Sequence, residues 1–278
     1  HPHWKLQPAP LRNLGNVVWL RVPCDDIRFS FRCGQWAFVN WADAPTRMLR
    51  AQWHPFTISS APLDGVVEVH IRTAGDWTRA LHERVGSGES VTVRLDGAYG
   101  APVEGCFGYE NLVLVAAGIG ITPMASVLRQ IARLRDAKQC RIKRVYLFWL
   151  NRDPSSFTWF EDVLVRLNEG DPNQRFLLTS VYLTGLGNHR ELYNFVLWRA
   201  WSAHFRKLGT CPFTGLNVPT HWGRPEWREV FRALKAQLHG ERVGVFCCGP
   251  PALSDALSDQ CKQYSDRVTS FIFQKEHF

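Results

Sequence analysis

The sequence predicts a two-domain protein, in which an antiparallel six-stranded β-barrel at residues 1–104 precedes an α/β domain with a parallel sheet at residues 105–278. Three observations lead to this fold class. The first third of the chain alternates short apolar segments with turn residues and leaves no room for helical crossovers. The remainder alternates apolar strand patterns with helical patterns. The length of 278 residues exceeds the usual size of one domain.

Composition and charge exclude several classes of protein. The longest uninterrupted non-polar run, Leu112–Ile121, is about half of the ~20 residues that a membrane-spanning helix needs, so the fragment itself is expected to be soluble. The net charge of +8 admits polyanionic ligands, but the basic residues are scattered among acidic ones, which argues against a nucleic-acid partner. The eight cysteines form no C-x-x-C and no metal-like pairing with histidine, and most of them are expected to be reduced core residues of a protein on the cytosolic side. Because the chain opens without a methionine, we expect it to be a segment of a longer protein.

The elements of the first domain follow from alternation and turn residues. Strands are predicted at Val17–Val22, Ile27–Phe31, Gln35–Trp41, Phe56–Ser59, Val66–Arg72 and Ser90–Leu95, with one helix at Trp77–Val85. In the fifth strand, alternation places Val67, Val69 and Ile71 on a buried face and Glu68, His70 and Arg72 on a face half open to water.

Three groups in this domain could bind a ligand. In His54-Pro55-Phe56-Thr57, an aromatic ring beside a hydroxyl could hold a flat heterocycle, although packing of an edge strand explains the segment equally well. Arg72 could meet a phosphate through two hydrogen bonds or be solvated. In Gly75–Arg79 a glycine precedes a short helix whose N–H groups, with Thr78, would suit a phosphate.

The second domain begins with a strand, a glycine turn and a helix. The apolar run from Asn111 breaks at Gly118 and Gly120, and helical spacing follows, with Thr122 able to cap the helix and Pro123 at its first position. This order points the free N–H groups of the helix at the turn, where glycines let a bulky anion such as a phosphate approach. The alternative is a tight turn that needs glycine only for packing, because Pro123 stands where a third glycine of Gly-x-Gly-x-x-Gly would be.

The following elements continue the alternation of strands and helices. They are predicted at Arg144–Leu150, Phe157–Asn168, Phe176–Leu183, Pro225–Leu238, Val243–Cys248, Ala252–Tyr264 and Val268–Gln274. A parallel sheet of this kind binds its ligand beyond the carboxyl ends of the strands. An insertion at about 184–222 carries a predicted helix, Glu191–Leu208, which either packs on its own domain or docks a partner through Tyr193, Trp198 and His204.

Residues after two of these strands predict the nucleotide. Arg152 follows the second strand of the domain, where a cation favours the 2′-phosphate of NADPH over the 2′-hydroxyl of NADH, and Arg224 is a second candidate cation or a solvated loop residue. In Cys248-Gly249-Pro250, Gly249 leaves room for a ligand over Cys248, whose thiol could contact a nicotinamide ring edge. A buried cysteine without such a role is the alternative.

Several motifs resemble known proteins. Five runs resemble the flavin half of ferredoxin-NADP-reductase-like proteins: Gly34-Gln35-Trp36, His54-Pro55-Phe56-Thr57, His70-Ile71-Arg72, Gly75-Asp76-Trp77-Thr78 and Asp96-Gly97-Ala98-Tyr99-Gly100. Two of them, His54–Thr57 and Gly75–Thr78, are specific to the NADPH oxidase and ferric reductase branch. Five further runs resemble NADPH oxidases: Ala117–Pro123, Trp149–Asp153, Gly223–Pro225, Cys248–Pro250 and Phe273–Phe278. In the last of these, His277 stands where the family usually has Asn.

The resemblance implies a ferredoxin-NADP-reductase-like fold with a Rossmann-like second domain, and FAD and NADPH as cofactors. It implies that His54, Pro55 and Thr57 line the flavin ring, that Arg72, Trp77 and Thr78 hold the pyrophosphate of FAD, and that Phe56, His70 and Ile71 belong to the same cofactor site. It also implies that NADPH is bound by Gly118, Gly120, Thr122, Pro123, Arg152, Arg224, Cys248, Gly249 and Pro250. Phe278 would cover the flavin ring where the nicotinamide must arrive, so that Thr57, Cys248 and Phe278 are the residues expected at the reacting atoms.

By the same resemblance, the chain is the cytosolic dehydrogenase domain of an NADPH oxidase, lying at the cytosolic face of a membrane as part of an integral membrane protein. It would pass a hydride from NADPH to FAD, and then single electrons to haems in its own transmembrane domain and to oxygen, giving superoxide or hydrogen peroxide. Regulatory domains or subunits are the other expected partners. The alternatives are a ferric or other metal reductase with the same cofactors, and a regulatory module that binds nucleotide without turnover.

Overall fold

A computed structural model describes residues 4–5, 11–23, 29–168, 175–185, 211, 218 and 220–276. The chain forms two compact units. The first comprises His1–Glu104 together with Thr122–Ala137, and the second comprises Gly105–Ile121 together with Lys138–Phe278. The helix that follows the glycine turn therefore packs with the first unit, although it lies beyond residue 104 in the sequence.

The first unit is built from antiparallel strands. Its elements are β1 (Trp4–Lys5), β2 (Leu11–Asn13), β3 (Val17–Pro23), β4 (Trp36–Trp41), α1 (Arg47–Arg50), β5 (His54–Thr57), β6 (Val66–Arg72), α2 (Asp76–Gly86), β7 (Val93–Tyr99) and, after the chain returns, most of α3 (Ile121–Asp136). The described strands form two sheets, in the orders β1-β7-β4-β5 and β2-β3-β6, and an antiparallel bridge between Ile58 and Val69 joins them. The predicted antiparallel domain is confirmed. The strand predicted at Ile27–Phe31 is wrong over residues 29–31, and positions 24–28 lie outside the described residues.

Strand β6 is buried on both faces, which corrects the prediction of a half-wet strand. Val69 and Ile71 lie in the core as expected, but Glu68 and His70 on the opposite face are also only 5% exposed. The cause is α3, whose Arg129 forms an ion pair with Glu68 and so covers the polar face. Arg72 alone on that face is exposed.

The second unit is a parallel sheet with helices, as predicted. Its elements are β8 (Asn111–Ala117), β9 (Arg144–Asn151), α4 (Glu161–Asn168), β10 (Leu177–Leu183), β11 (Thr220–Trp222), α5 (Trp227–Gln237), β12 (Arg242–Cys248), α6 (Pro251–Tyr264) and β13 (Ser270–Glu276). The strand order is β11-β10-β9-β8-β12-β13, and every pair is parallel. Strand β8 lies in the middle of this order with Asn111–Ala116 buried, which agrees with its uninterrupted apolar sequence.

Both faces of this sheet carry apolar clusters within the second unit. On one face, Phe231 and Leu234 of α5 pack with Val245 of β12, and burial of each such side chain stabilises the fold by roughly 1.5–3 kcal/mol. On the other face, the ring of Trp149 lies 5.0 Å from that of Phe157 in an edge-to-face arrangement. The helix predicted at Glu191–Leu208, with Tyr193, Trp198 and His204, lies outside the described residues. None of the described helices combines the length and apolarity needed to cross a bilayer.

Candidate functional site

The carboxyl ends of five neighbouring strands bring the predicted nucleotide residues to one edge of the sheet. Beyond the glycine turn after β8, Arg152 follows β9 and Arg224 follows β11 on one side, while Cys248 ends β12 on the other side. Neighbouring strands are about 4.8 Å apart, so Arg152 is one strand away from the glycine turn and Arg224 is three strands away. The structure therefore places these groups in a row, in which the glycine turn lies between the two arginines on one side and the Cys248 thiol on the other.

The glycine turn combines an open space with a close backbone approach. Gly118 has a φ of +57°, and a Cβ atom added there would meet nothing within 4 Å, so its surroundings could admit a bulky anion. A Cβ atom added at Gly120 would lie 2.4 Å from the carbonyl oxygen of Cys248. Trp149 Nε1 donates a hydrogen bond to the Gly118 carbonyl oxygen, at 3.4 Å. Gly118 thus provides room, whereas Gly120 permits the turn to pack on the end of β12.

The first turn of α3 follows directly. The helix begins at Ile121 rather than at Pro123, which is its third residue, and Thr122 and Pro123 are both buried. The N–H group of Ile121 donates to the carbonyl oxygens of Gly118 and Ile119, and Pro123 has no N–H group, so the positive end of the helix dipole is what favours an anion at this turn. The order of strand, glycine turn and helix that the sequence predicts is thus present.

The two candidate cations are exposed at the same edge. Arg152 follows Asn151 at the end of β9, and Arg224 follows Gly223, whose φ of +83° turns the chain between β11 and α5. Among the residues that the structure describes, no carboxylate forms an ion pair with either guanidinium. Both side chains are therefore available to an anionic ligand, and a 2′-phosphate is the group that two cations at this place would suit.

The end of β12 is tightly packed. Cys248 is only 3% exposed, and burial, followed by the negative charge of Glu276, raises the pKa of its thiol to about 12. A Cβ atom added at Gly249 would lie 2.9 Å from the Cβ atom of Ala117, so protein atoms rather than ligand space explain this glycine. Pro250 precedes α6 as its N-cap. Phe278 lies outside the described residues.

In the first unit, β5 divides the predicted flavin residues between its two faces. His54 and Phe56 share one face with Trp77, whose ring lies 4.6 Å from the His54 ring and 6.0 Å from the Phe56 ring. His54 Nε2 donates to Gln52 Oε1 at 3.0 Å, and burial lowers the pKa of this histidine. Pro55 and Thr57 point to the opposite face, because successive side chains of a strand alternate.

The face of Thr57 carries aromatic residues that the sequence reasoning missed. Trp36 pairs with Thr57 across the sheet, Phe38 pairs with Pro55, and the Trp36 ring lies 4.7 Å from the ring of Tyr99 on β7. The Tyr99 hydroxyl donates to Asp96 Oδ2 at 2.9 Å. These rings are only partly buried, and they lie on the same face of the sheet as the Thr57 side chain. Period-two alternation in β4, taken together with its pairing to β5, is the sequence signal that indicates this face.

The predicted phosphate loop uses its side chains internally. Thr78 Oγ1 accepts hydrogen bonds from the N–H groups of Ala74 and Gly75, both at 2.9 Å, and donates to the Gly75 carbonyl oxygen. Trp77 is 2% exposed, and its Nε1 donor has no partner among the described residues. Arg72 is exposed at the end of β6. An anion at this loop would therefore meet the first-turn N–H groups of α2 and Arg72, and Trp77 offers an unused buried donor.

His70 and Ile71 lie in the interior of the first unit. Ile71 is fully buried in the core. His70 Nδ1 lies 2.9 Å from Ser59 Oγ, and burial, together with the positive charge of Arg129, lowers the pKa of His70 to about 3. The structure therefore separates these two side chains from the exposed Arg72 of the same motif.

Two family models match the chain. The model described as the ferric reductase NAD binding domain matches residues 109–262, and a model described as an FAD-binding domain matches residues 4–103. The chain is 33% identical over 287 residues to a superoxide-generating NADPH oxidase heavy chain of Dictyostelium discoideum, covering 94% of this chain and 39% of that protein. It is 36% identical to NADPH oxidase 3 of Homo sapiens, and the match covers 82% of this chain and 41% of that protein. The chain thus spans about two-fifths of the length of these curated relatives.

Solved structures share the fold. A ferredoxin NADP+ reductase from Neisseria gonorrhoeae, with bound FAD and NADP, matches with a TM-score of 0.63 at 13% sequence identity. The match covers 98% of this chain and 98% of that chain. The CS-b5R domains of human Ncb5or have a TM-score of 0.63 at 18% identity, covering 97% of this chain and 69% of that one. Both comparisons show the two-domain ferredoxin-NADP-reductase-like fold.

Proposed function

Because the chain belongs to the ferric reductase NAD binding domain family and carries an FAD-binding domain ahead of that match, we propose that it is the dehydrogenase portion of an NADPH oxidase. We further propose residues 1–104 as the FAD-binding domain and residues 105–278 as the NADPH-binding domain. In the whole protein, this portion would lie at the cytosolic face of a membrane and serve a transmembrane haem domain, which delivers electrons to oxygen.

The single observation that carries this proposal is the order of groups along the sheet edge. The glycine turn after β8 would hold the pyrophosphate of NADPH at Gly118, Gly120 and Thr122, since Gly118 leaves the space open. Arg152 and Arg224, to one side, would bind the 2′-phosphate. Cys248, on the other side of the turn, would lie toward the nicotinamide. A dinucleotide lying across the strand ends would meet these groups in the order of its own parts.

The first unit offers residues that fit FAD. Thr57 and the partly buried rings beside it suit a flat ring with hydrogen-bonding edges, and Arg72 with the first turn of α2 suits a pyrophosphate. The unused Nε1 donor of the buried Trp77 is a further fit to an acceptor-rich group. When bound, FAD supplies the ability to take two electrons from NADPH and to release them one at a time.

The protein groups would bind and orient the two cofactors, and the thiol at the end of β12 would stay neutral. Cys248 keeps its proton at physiological pH because its thiol pKa is raised to about 12, so it presents an uncharged sulfur rather than a nucleophilic thiolate. Thr57 would orient the flavin through its hydroxyl, and the basic Arg152 and Arg224 would fix the adenosine end of NADPH. Phe278 would shield the flavin ring until the nicotinamide arrives.

A flavin spectrum tests the proposal. We expect FAD added to the 278-residue chain to lose fluorescence and to bleach when NADPH follows under anaerobic conditions. Substituting Thr57→Val should weaken this response, and Met48→Ala, at an exposed site on α1, serves as the control. If free-FAD fluorescence persists and NADPH is not consumed with the parent chain, the chain does not act as a dehydrogenase.

The description of the matching family model favours a ferric reductase as the second candidate. The two candidates share both cofactor sites and differ in the acceptor that takes the electrons. A comparison of oxygen consumption with ferric chelate reduction by the whole membrane protein separates them. The names of the relatives favour the oxidase.

A further inference from the structure

We infer that Asn151 is a positioning residue that fixes the backbone of Arg152 and thereby helps the protein to distinguish NADPH from NADH. The inference rests on the proposed contact between Arg152 and the 2′-phosphate. It extends that proposal to a side chain that carries no charge and ends a strand of the sheet.

The side-chain amide of Asn151 holds the turn that carries Arg152. Its Oδ1 atom accepts hydrogen bonds from the N–H groups of Arg152, at 2.7 Å, and of Asp153, at 3.3 Å. Two N–H donors on one atom require that atom to be the oxygen, so the orientation of the amide is determined by its partners. Asparagine is suited to this role because its side chain can accept from the backbone one and two residues further along the chain.

The loop after β10 holds the same turn from a neighbouring strand. The Asn151 carbonyl oxygen accepts hydrogen bonds from Thr184 N at 2.7 Å and from Thr184 Oγ1 at 3.1 Å. A Cβ atom added at Gly185 would lie only 2.4 Å from the Arg152 carbonyl oxygen, so these two backbones are in direct contact. Asn151 and the Thr184–Gly185 segment therefore leave the backbone of Arg152 little freedom.

The Nδ2 atom of Asn151 indicates that the residue is not there for stability alone. This donor is buried and has no hydrogen-bond partner among the described residues, an arrangement that destabilises a fold. A leucine of similar size would avoid that loss but could not accept the two N–H groups of the turn. The asparagine is therefore explained by its oxygen, which holds the turn that carries the exposed Arg152.

The test compares two ligands that differ only in the 2′-phosphate. Titration calorimetry of the 278-residue chain with 2′-phospho-ADP-ribose and with ADP-ribose measures the preference for the phosphate without FAD or turnover. We expect Asn151→Leu to reduce this preference roughly tenfold, the loss typical of one hydrogen bond to a charged group, and Asn151→Ser to retain most of it. In an Arg152→Ala background, Asn151→Leu should cause no further loss, because its effect passes through Arg152.

The outcomes separate the inference from the proposed function. If Arg152→Ala removes the preference while Asn151→Leu leaves it intact, or if the two losses add, the positioning role is refuted and the phosphate contact stands. If Arg152→Ala itself changes nothing, the phosphate contact and the positioning role both fail. If Asn151→Leu does not fold, Gly185→Ala replaces it, because the added Cβ atom must displace the Arg152 backbone from the other side. The same two titrations are then compared, with the same outcomes for and against the positioning role. Asn16→Leu, at an exposed asparagine of the first unit, is the matched control.

Discussion

Replacement of Gly120 by alanine tests whether the close approach of the glycine turn to β12 is needed. The added Cβ atom would lie 2.4 Å from the Cys248 carbonyl oxygen, and 2.9 Å from both its carbonyl carbon and its Sγ atom. Ordinary contact begins at 3.4 Å, so the two backbone segments must separate by roughly 1 Å. Gly120 is not among the glycines with positive φ, so the effect of the substitution is steric.

The expected loss can be estimated from this overlap. Overpacking of a well-packed interior typically costs about 1–3 kcal/mol of unfolding free energy. A shift of about 1 Å in the turn would also misplace the pyrophosphate site relative to Cys248, and misplacement on this scale slows catalysis by up to about a hundredfold. We therefore expect Gly120→Ala to lower the melting temperature and to slow NADPH-dependent flavin reduction, with FAD binding retained.

The assays are thermal unfolding, titration with NADPH, and stopped-flow reduction of the FAD-loaded chain. Gly108→Ala is the matched control in the same unit, because a Cβ atom there meets nothing within 4 Å and the residue has no positive φ. Gly118→Ala separates backbone strain from overlap, since its φ of +57° disfavours alanine by about 1–2 kcal/mol while its surroundings are open. A Gly120→Ala protein with the parent's melting temperature and flavin reduction rate would refute the reasoning.

Three further outcomes are expected. Arg152→Ala and Arg224→Ala should each raise the KM for NADPH about tenfold or more, whereas the KM for NADH should change little. Arg228→Ala, at an exposed arginine, is the control. Equal changes in both KM values would contradict the proposed contact of the two arginines with the 2′-phosphate. The pKa of His70 is about 3 in the folded chain and 6.5 is its ordinary value, so the unfolded chain binds more protons between these two pH values. The free energy of unfolding should therefore decrease as the pH drops from about 6.5 toward 3. In melting curves, His70→Gln should make the melting temperature depend less on pH over this range. With its pKa raised to about 12, Cys248 should resist iodoacetamide at about pH 8 until urea unfolds the chain, and rapid labelling in the mass spectrum of the folded protein would speak against its burial.

Much of the candidate site follows from local sequence patterns. The apolar run of β8, the break at Gly118 and the helical spacing after it are properties of about twenty consecutive residues, so period and glycine placement sufficed to predict the turn. The position of Arg152 after β9 was predictable for the same reason. In β5, however, the predicted flavin residues fall on two faces, because alternation separates His54 from Thr57.

The sequence by itself determined most of the described strands, helices and glycine turns, because each depends on periodicity and turn chemistry between near neighbours. Only the tertiary structure decided the strand order that aligns the turn after β8 with Arg152, Arg224 and Cys248. It also decided that α3 covers Glu68, which local alternation had assigned to water. The physical reason is that periodicity reports how one face of a segment differs from the other, whereas burial and proximity depend on which distant segments pack there.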